Sequence, residues 1–395
     1  MNRVSTGVWL SAYAILLAAA TGCFSSDNGD VGSADAALPA ADVGSPPGSE
    51  ASASEPDSGN HTAPDATIAD ATVADGSQPD APAAEAGRFD AGLGGVTSDG
   101  GAVVVIPPSG GGTGANKGHI FGATSYSPPD APVFDLTTAD GGAAPTTFAT
   151  VPAAGWLGPM LLTNDGKFYV ASNAQNGSIW EISAGGDFTS KQPIVANVFP
   201  TNLTYIEGMA RDASGSFYLA NSEAGQTQLA KVTPGADGGA ITYLPTSFDD
   251  PASLFVAGNV LLVAEGNKGR IVAHDIVSGN EAVWATGFVP GSSHISTSLV
   301  ADRRGHLLVN WNTSTAGKGI YDITAGGDFS SATPMVAIDF NIDVNQIAVD
   351  DANDIFVAGA DSGNVYVSRF ASGAWSPFAV FATGLGDNES VGIAP

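Results

Sequence analysis

The stretch Glu181-Ile-Ser-Ala-Gly-Gly-Asp-Phe-Thr-Ser-Lys-Gln-Pro-Ile-Val-Ala196 returns later in the chain as Asp322-Ile-Thr-Ala-Gly-Gly-Asp-Phe-Ser-Ser-Ala-Thr-Pro-Met-Val-Ala337. The two copies are identical at ten of sixteen positions and lie 141 residues apart, which is three times 47. A period of this size is typical of chains built from repeated supersecondary units. The repeat therefore predicts a fold made of several similar units.

Within one unit, an apolar run, a tight turn and a second apolar run follow one another, as in Met160–Ala171. Turn aspartates at positions 165, 212, 302 and 350 are separated by 47, 90 and 48 residues, so one unit with a shorter turn fits in the longest interval. Four short strands in about 40–48 residues is the pattern of a β-propeller blade. We therefore predict five complete blades, whose first strands begin near residues 160, 208, 254, 298 and 346.

The two ends of the repeated region complement each other. Val391–Pro395 has the pattern of a first strand and stops where the turn is expected, whereas Asn116–Thr124 has the pattern of a second strand without a first. Ala131–Asp135 and Thr146–Thr150 supply two more strands. We predict an all-β, six-bladed β-propeller closed by a split blade, with three strands from the N-terminal side and one from the C-terminus, which removes an open sheet edge. A β-sandwich of the same strands is the alternative, although it would not require complementary ends.

Composition restricts the partners of the chain. Its 395 residues include 40 acidic and 13 basic side chains, a net charge of -27, together with 51 glycines and 24 prolines. This charge repels polyanions and argues against nucleic acid as a partner, whereas divalent cations and basic partners are compatible with it. The glycines and prolines, with no sustained 3.6-residue apolar period after residue 120, favour short strands over helices. We expect a monomer.

The N-terminus carries the pattern of an exported lipoprotein. Arg3 provides a positive charge, Val8–Ala20 is an apolar run too short to span a bilayer, and Ala20-Thr-Gly-Cys23 ends in the only cysteine of the chain. This segment resembles the bacterial lipobox, which implies a signal peptide over 1–23 and a lipid anchor on Cys23. Phe24 stands where an inner-membrane retention signal usually has Asp, so we expect an outer-membrane lipoprotein of the cell envelope. An ordinary secretory cleavage site and a chance cysteine are the alternatives.

Residues 24–117 consist mostly of Ala, Asp, Gly, Ser and Pro. A segment with so few large apolar side chains cannot offset the entropy of ordering, so we predict a disordered linker that tethers the folded domain to the membrane. Its Asp-Ala repeats lack the spacing of an EF-hand calcium loop. The propeller domain is then expected over 118–395.

The repeated order of a small or apolar strand, Asp-x-x-Gly, and an apolar-aromatic strand ending in Val-Ala resembles NHL-type six-bladed propellers and the related gluconolactonase (SGL-like) and strictosidine-synthase-like group. The resemblance covers about residues 116–395. It implies the six-bladed fold and leaves the activity open, because this scaffold carries binding modules and hydrolases alike.

The first strands of propeller blades line the central channel, so the residues that enter these strands are candidate ligand contacts. Alignment on the turn aspartates places six residues in one ring, in which Glu207 is the only acid: Met160, Glu207, Ala252, Thr297, Asn345 and Val391. Glu207, Thr297 and Asn345 are the channel ligand candidates. Asp343 and Glu389 are predicted near the channel ends, outside this ring.

Glu207-Gly-Met-Ala-Arg-Asp212 is similar to the Glu-Gly motif of gluconolactonase-like propellers, which implies a carboxylate that holds a divalent cation in the channel. Ca²⁺ or another divalent cation would take Glu207 and Asn345 as ligands, although Ca²⁺ prefers six to eight oxygens. A solvated or hydrogen-bonded Glu207 is the alternative. His294 is the candidate base, with a loop histidine as the alternative.

Other conspicuous residues have structural or surface interpretations. The Gly-Gly-Asp-Phe segments fall in loops after third strands of the first and fourth blades, where glycine and aspartate serve turn geometry. Asp350–Asp354 is expected to form an Asx-stabilised turn, with a surface cation site as the alternative. Trp180 and Tyr321 are equivalent and expected between the sheets. Trp311 and Trp375 have no equivalents and are candidate platforms for a sugar or a peptide.

The sequence contains no Gly-x-Ser-x-Gly elbow and no His pair at metal-ligand spacing. We therefore expect a lipid-anchored binding module without catalysis and without a cofactor, whose partner is an envelope protein, a peptide or a glycan. The alternative is a metal-dependent lactonase-like hydrolase, with Glu207 and Asn345 as metal ligands and His294 or a metal-bound water as the base.

Overall fold

A computed structural model describes residues 117–124, 130–140, 143–152, 157–199, 206–222, 228–235, 239–244, 248–291, 297–313, 317–339, 344–359, 362–386 and 388–393. All of them belong to one compact unit, Pro79–Pro395. Cys23, the predicted signal peptide and nearly all of the predicted linker lie outside the described residues. Within the described ranges, the only helical element is one 3-10 turn, Gly266–Lys268, and no helix is long and apolar enough to cross a bilayer.

The chain closes into a ring through one blade that contains both ends of the described part. This closing blade consists of β1 (Ile120–Thr124), β2 (Asp130–Asp135), β3 (Thr146–Pro152) and β27 (Asn388–Ile393). β27 pairs antiparallel with β1, with Val391 opposite Gly122, and takes the inner position. The predicted split blade is confirmed, with three strands from the N-terminal side and one from the C-terminus.

Five further blades follow along the chain and complete the six-bladed propeller. Their strands are antiparallel and run in order from the channel outward, as expected for consecutive hairpins. The first blade contains β4 (Leu157–Leu162), β5 (Phe168–Ser172) and β6 (Ser178–Glu181); the second β8 (Ile206–Arg211), β9 (Phe217–Asn221), β10 (Gln228–Thr233) and β11 (Ala240–Tyr243); the third β12 (Pro251–Ala257), β13 (Val260–Glu265), β14 (Arg270–Asp275) and β15 (Glu281–Thr286); the fourth β16 (Leu299–Ala301), β17 (Leu307–Thr313), β18 (Gly317–Asp322) and β20 (Val336–Ala337); the fifth β21 (Val344–Val349), β22 (Ile355–Gly359), β23 (Asn364–Ser368) and β26 (Ala379–Ala382).

The hydrophobic core is divided among the spaces between adjacent blades. Trp180 of the first blade is 1% exposed and belongs to a cluster with Phe121 and Val133 of the closing blade. Tyr321 of the fourth blade is equally buried and clusters with Phe288, which follows the third blade. The expectation that these two equivalent aromatic residues fill the space between sheets is confirmed.

The repeated Gly-Gly-Asp-Phe segments fasten neighbouring blades together. Gly186–Asp187 (β7) pairs in parallel with β3 of the closing blade, and Gly327–Asp328 (β19) pairs in parallel with β15 of the third blade. Each segment leaves the third strand of its own blade and extends the outer edge of the preceding blade. The aspartate carboxylates accept hydrogen bonds from backbone amides two residues later, at 2.8 and 2.9 Å, as the predicted turn geometry requires.

The turn between the first two strands begins with an aspartate in three blades and with a threonine in a fourth. The backbone N–H of the first turn residue donates to the carbonyl oxygen four residues later at Asp212, Asp302, Asp350 and Thr163. Asp165 therefore lies two residues inside its turn, not at the turn start that it was aligned to. This displacement shifts the predicted register of the first blade by two residues.

The acidic turn Asp350–Asp354 is an Asx turn whose three carboxylates have separate protein partners. The Asp350 side chain accepts hydrogen bonds from the amides of residues 352 and 354, Asp351 pairs with Arg303, and Asp354 pairs with Arg369. Burial raises the pKa of Asp350 above its ordinary value of 3.8, and the Asp354 carboxylate raises it further, although both amides oppose this. The turn geometry is confirmed, and it supports no common cation site.

Candidate functional site

Inner strands of the propeller carry a β-bulge at the same level, where they enter the channel. The register shifts by one residue between Leu157 and Met160, between Ile206 and Gly208, between Pro251 and Ser253, and between Val344 and Ile347. On the closing blade the same shift falls between Asn388 and Ser390 of β27. A bulge takes a residue out of the sheet ladder and re-aims its side chain, and bulges are frequent beside functional sites.

The bulges define a ring that differs from the predicted one at two positions. Its members are Gly158, Glu207, Ala252 and Asn345, with Glu389 in the equivalent place on β27 and Thr297 in that place before β16. Met160 and Val391 lie two residues further along their strands, so their assignment to the ring was wrong. The placement of Glu389 outside the ring was also wrong, because the register of β27 puts its backbone level with Glu207.

A cavity of about 90 Å³ lies at the level of this ring, with walls from five inner strands or the residues just before them. It brings together all three predicted channel candidates, Glu207, Thr297 and Asn345, and adds Ser253 and Gln346. Apolar side chains of Ile206, Met209, Leu254 and Leu299 also line the cavity. Among the described residues that line it, there is one carboxylate and no Lys, Arg or His.

Hydrogen bonds within the fourth blade and across its two boundaries hold the cavity wall in place. Thr297 is 3% exposed, and its hydroxyl donates to the Asn310 carbonyl at 2.8 Å. The Leu299 amide of the fourth blade donates to Ser253 Oγ of the third at 2.9 Å. Asn310 Nδ2 in turn donates to the Val344 carbonyl of the fifth blade at 2.8 Å. Thr297 therefore stabilises the wall of the cavity, and its hydroxyl proton is used in the bond to Asn310.

Gln346 makes a longer connection that sequence reasoning missed. Its Oε1 accepts a hydrogen bond from the Met160 amide at 3.3 Å, and its Nε2 donates to the Met160 carbonyl at 3.0 Å. The side chain thus links the fifth blade to the first and passes the closing blade between them. Its position beside Asn345 was the only sequence signal, and it did not indicate a backbone partner 186 residues away.

No protein-family model matches this chain. No curated protein matches it either. Among solved structures, a chain of a nidogen/laminin complex is similar at 13% identity and a TM-score of 0.48, covering 70% of this chain and 98% of that one. TolB from Acinetobacter baumannii is similar at 13% identity and a TM-score of 0.48, covering 71% of this chain and 68% of that one. A streptogramin B lyase is similar at 16% identity and a TM-score of 0.40, covering 71% and 89%. At this level none of them assigns a ligand or an activity to this chain.

Several predicted site residues lie outside what the structure describes. Cys23, His294 and Asp343 are not among the described residues, and for Glu389 only the backbone is described. Where side chains are described, no group of three or more His, Cys, Asp or Glu residues is placed to hold a metal ion. The metal ligands Glu207 and Asn345 and the base His294 therefore stay predictions.

The two tryptophans without equivalents are not open platforms. Trp311 is 3% exposed, stacks on Phe288 with ring centroids 4.8 Å apart, and donates from Nε1 to the Val289 carbonyl at 3.0 Å. Trp375 lies on a small hairpin, β24 (Phe370–Ala371) and β25 (Ala374–Trp375), and the Arg304 guanidinium covers its ring at 4.6 Å. Trp311 is a core residue because its neighbours bury it, so its prediction as a platform was wrong.

Proposed function

We propose that this protein is a lipid-anchored β-propeller of the cell envelope that binds a ligand, or a segment of a partner protein, at the mouth of its channel without catalysis. The observation that carries the proposal is the cavity at the level of the bulges, which is lined by residues of five blades. A concave site with apolar walls and a few convergent polar groups is the usual form of a small-molecule or peptide site.

The charge of the cavity wall supports a neutral or positively charged ligand. Glu207 is the only acidic or basic side chain among the described residues of the wall, and the chain as a whole has a net charge of -27. A site of this sign attracts cations and repels phosphate and carboxylate groups. Envelope peptides, glycans and basic protein segments fit this restriction better than nucleotides do.

For the anchor, we propose that Cys23 carries the lipid and that residues 24–117 hold the propeller away from the outer membrane. Cys23→Ser removes the only thiol, so we expect the full chain to move from the membrane fraction to the soluble fraction of fractionated cells. Phe24→Asp keeps the thiol and is the matched control, expected to stay membrane-bound while moving to the inner membrane. Retention of the Cys23→Ser chain in the membrane fraction would count against lipidation.

Ligand binding at the channel is tested by native mass spectrometry of the full chain after incubation with envelope extract. We expect a bound species that is lost in Glu207→Ala, because this change removes the one described carboxylate of the wall. Glu281→Ala removes an exposed acid from the outer strand β15 and should leave the bound species in place. Equal retention in both variants, or no bound species with the unmodified chain, would contradict the proposal.

A metal-dependent lactonase-like hydrolase is the second candidate, and the register of the closing blade favours it. The backbone of Glu389 lies at the ring level of Glu207 and Asn345, and carboxylate and amide oxygens are the type of ligand that Ca²⁺ uses. His294 or a bound water would then act as the base. In the same samples, one divalent ion per chain that disappears in Glu207→Ala would favour this candidate. A metal-free chain whose melting temperature does not change when a chelator is added would favour the binding module.

A further inference from the structure

The contact between Gln346 and Met160 has the form of one rung of a β-ladder. A carboxamide presents an N–H donor and a C=O acceptor side by side. The Gln346 N–H donates to the Met160 backbone C=O, and the Gln346 C=O accepts from the Met160 backbone N–H. In an antiparallel sheet, residues of a hydrogen-bonded pair exchange the same two bonds. The Gln346 side chain thus occupies, on the channel side of β4, the place that a residue of another extended chain would take.

The equivalent backbone position in the fourth blade is satisfied by a different partner. Leu299 occupies on β16 the place of Met160 on β4, and its amide donates to Ser253 of the preceding blade at 2.9 Å. On the closing blade, which precedes the first, Ser390 holds the place of Ser253. By equivalence with the fourth blade, Ser390 is therefore the expected partner of the Met160 amide. Gln346 accepts that hydrogen bond instead.

This replacement affects the hydroxyl group of Ser390. Its side chain is 1% exposed, and within the described part of the chain its hydroxyl has no hydrogen-bond partner. A buried hydroxyl without a partner costs free energy and calls for an explanation in a native structure. If Gln346 swings away, Ser390 can accept the Met160 amide, so release of Gln346 does not leave that amide unsatisfied.

We propose that the cavity binds an extended peptide segment that displaces the Gln346 side chain from the cavity wall, so that one residue of the peptide pairs with the Met160 backbone that Gln346 now holds. This inference rests on the proposed function, for which it names the ligand class. A peptide is favoured because one extended residue offers the N–H and the C=O that the Gln346 carboxamide now offers. The cavity of about 90 Å³ is several times the roughly 10–15 Å³ that a single water needs, so it has room for a group of several heavy atoms.

Displacement makes a quantitative prediction for Gln346→Ala. Ser390 offers Met160 one hydrogen bond where Gln346 makes two, so removal of Gln346 should still favour a peptide. If Gln346 occupies the Met160 pair about nine-tenths of the time, the dissociation constant should fall by up to about tenfold. The probe is a capped alanine tripeptide, titrated into the full chain and followed by NMR of labelled backbone amides. A tripeptide methylated at its central nitrogen has no N–H for the Met160 carbonyl, so it should not gain affinity. Gln228→Ala, on β10 outside the cavity, is the matched control.

Three outcomes would overturn the inference: equal tripeptide affinity in Gln346→Ala and the unmodified chain, an equal gain for the methylated tripeptide, or an equal gain for a methyl glycoside. The last outcome would indicate a glycan site instead. Gln346→Glu is the second variant should Gln346→Ala fail to fold, because it keeps the acceptor for the Met160 amide and loses the donor. It should give a smaller gain in the same direction, and no gain would likewise contradict the inference.

A second measurement separates a displaceable Gln346 from a merely structural one. Because Ser390 can replace Gln346 as the partner of the Met160 amide, Gln346→Ala should melt close to the unmodified chain, whereas Gln346→Ala with Ser390→Ala should melt clearly lower. If Gln346→Ala binds the tripeptide more tightly but no ligand is found in envelope extract, this inference stands and the proposal of an envelope ligand is wrong. The opposite result would keep the binding module and withdraw the peptide.

Discussion

Deletion of residues 388–395, which removes β27, is expected to destabilise the whole propeller and not only the closing blade. β27 is the inner strand of the closing blade, and Val391 is fully buried in a cluster with Ile120 and Phe356. Gly392 lies so close to the first blade that an added Cβ would be 2.6 Å from Leu162. Without β27 the closing blade lacks its inner strand. The faces of the first and fifth blades that β27 covers then become exposed.

We expect this deletion to cost on the order of 5 kcal/mol, comparable with the whole stability of an ordinary domain. In a thermal melt, that corresponds to a decrease of about 10–20 °C or to the loss of a cooperative transition. A synthetic peptide of residues 388–395 added in trans should restore part of the melting temperature. Val380→Thr, at an exposed position on the outer strand β26, is the control and should change little. A truncated chain that melts within about 2 °C of the full chain would contradict the role of β27 as the ring closure.

Gly326→Ala is expected to be strongly destabilising for so small a substitution, because it changes the segment that pairs the fourth blade with the third. Gly326 has a φ of +64°, and an added Cβ would lie 2.5 Å from the Trp284 carbonyl oxygen of β15. The left-handed backbone alone costs an L-residue about 1–2 kcal/mol. Overpacking against a backbone atom adds about 1–3 kcal/mol. We therefore expect a total loss of about 3 kcal/mol in urea unfolding.

Gly258→Ala provides a matched control for the backbone term. Gly258 has a φ of +60°, and an added Cβ would meet nothing within 4 Å. We expect it to cost only the left-handed penalty of about 1 kcal/mol. Gly185→Ala, in the first copy of the repeated segment, should resemble Gly326→Ala, since its Cβ would lie 2.8 Å from the Phe148 carbonyl oxygen. If Gly326→Ala and Gly258→Ala lose equal stability, the backbone around Trp284 can move to accommodate the added Cβ, and the prediction for Gly326→Ala is wrong.

Much of the blade architecture was predictable because it is written in short-range patterns. Apolar alternation and turn residues recur with the blade period, and the incomplete patterns at the two ends indicated the split blade before any contact was known. The Gly-Gly-Asp-Phe segments were predicted as turns, and their aspartates do bond amides two residues later. Their pairing with the preceding blade was not predicted, because that partner lies on a different sheet.

The composition of the ring was predicted only in part, and the reason is local. Thr163 starts the turn that aspartate starts elsewhere, so alignment on Asp165 moved the first blade by two residues and put Met160 in the place of Gly158. The second strands begin five residues after each true turn start, at Phe168, Phe217, Leu307 and Ile355. Alignment on these strands would have given the correct register from the sequence.

The sequence by itself determined the all-β class, the blade count, the split closure and the presence of Glu207, Thr297 and Asn345 on, or just before, channel strands. These features depend on periodicity and turn chemistry, which neighbouring residues encode. Only the tertiary structure decided that bulges bring Glu389 level with Glu207, that Trp311 is buried, and that Gln346 occupies the Met160 backbone. Those features depend on which residue of one strand faces which residue of another, and sequence spacing does not report a register shift or a hydrogen bond that skips a blade.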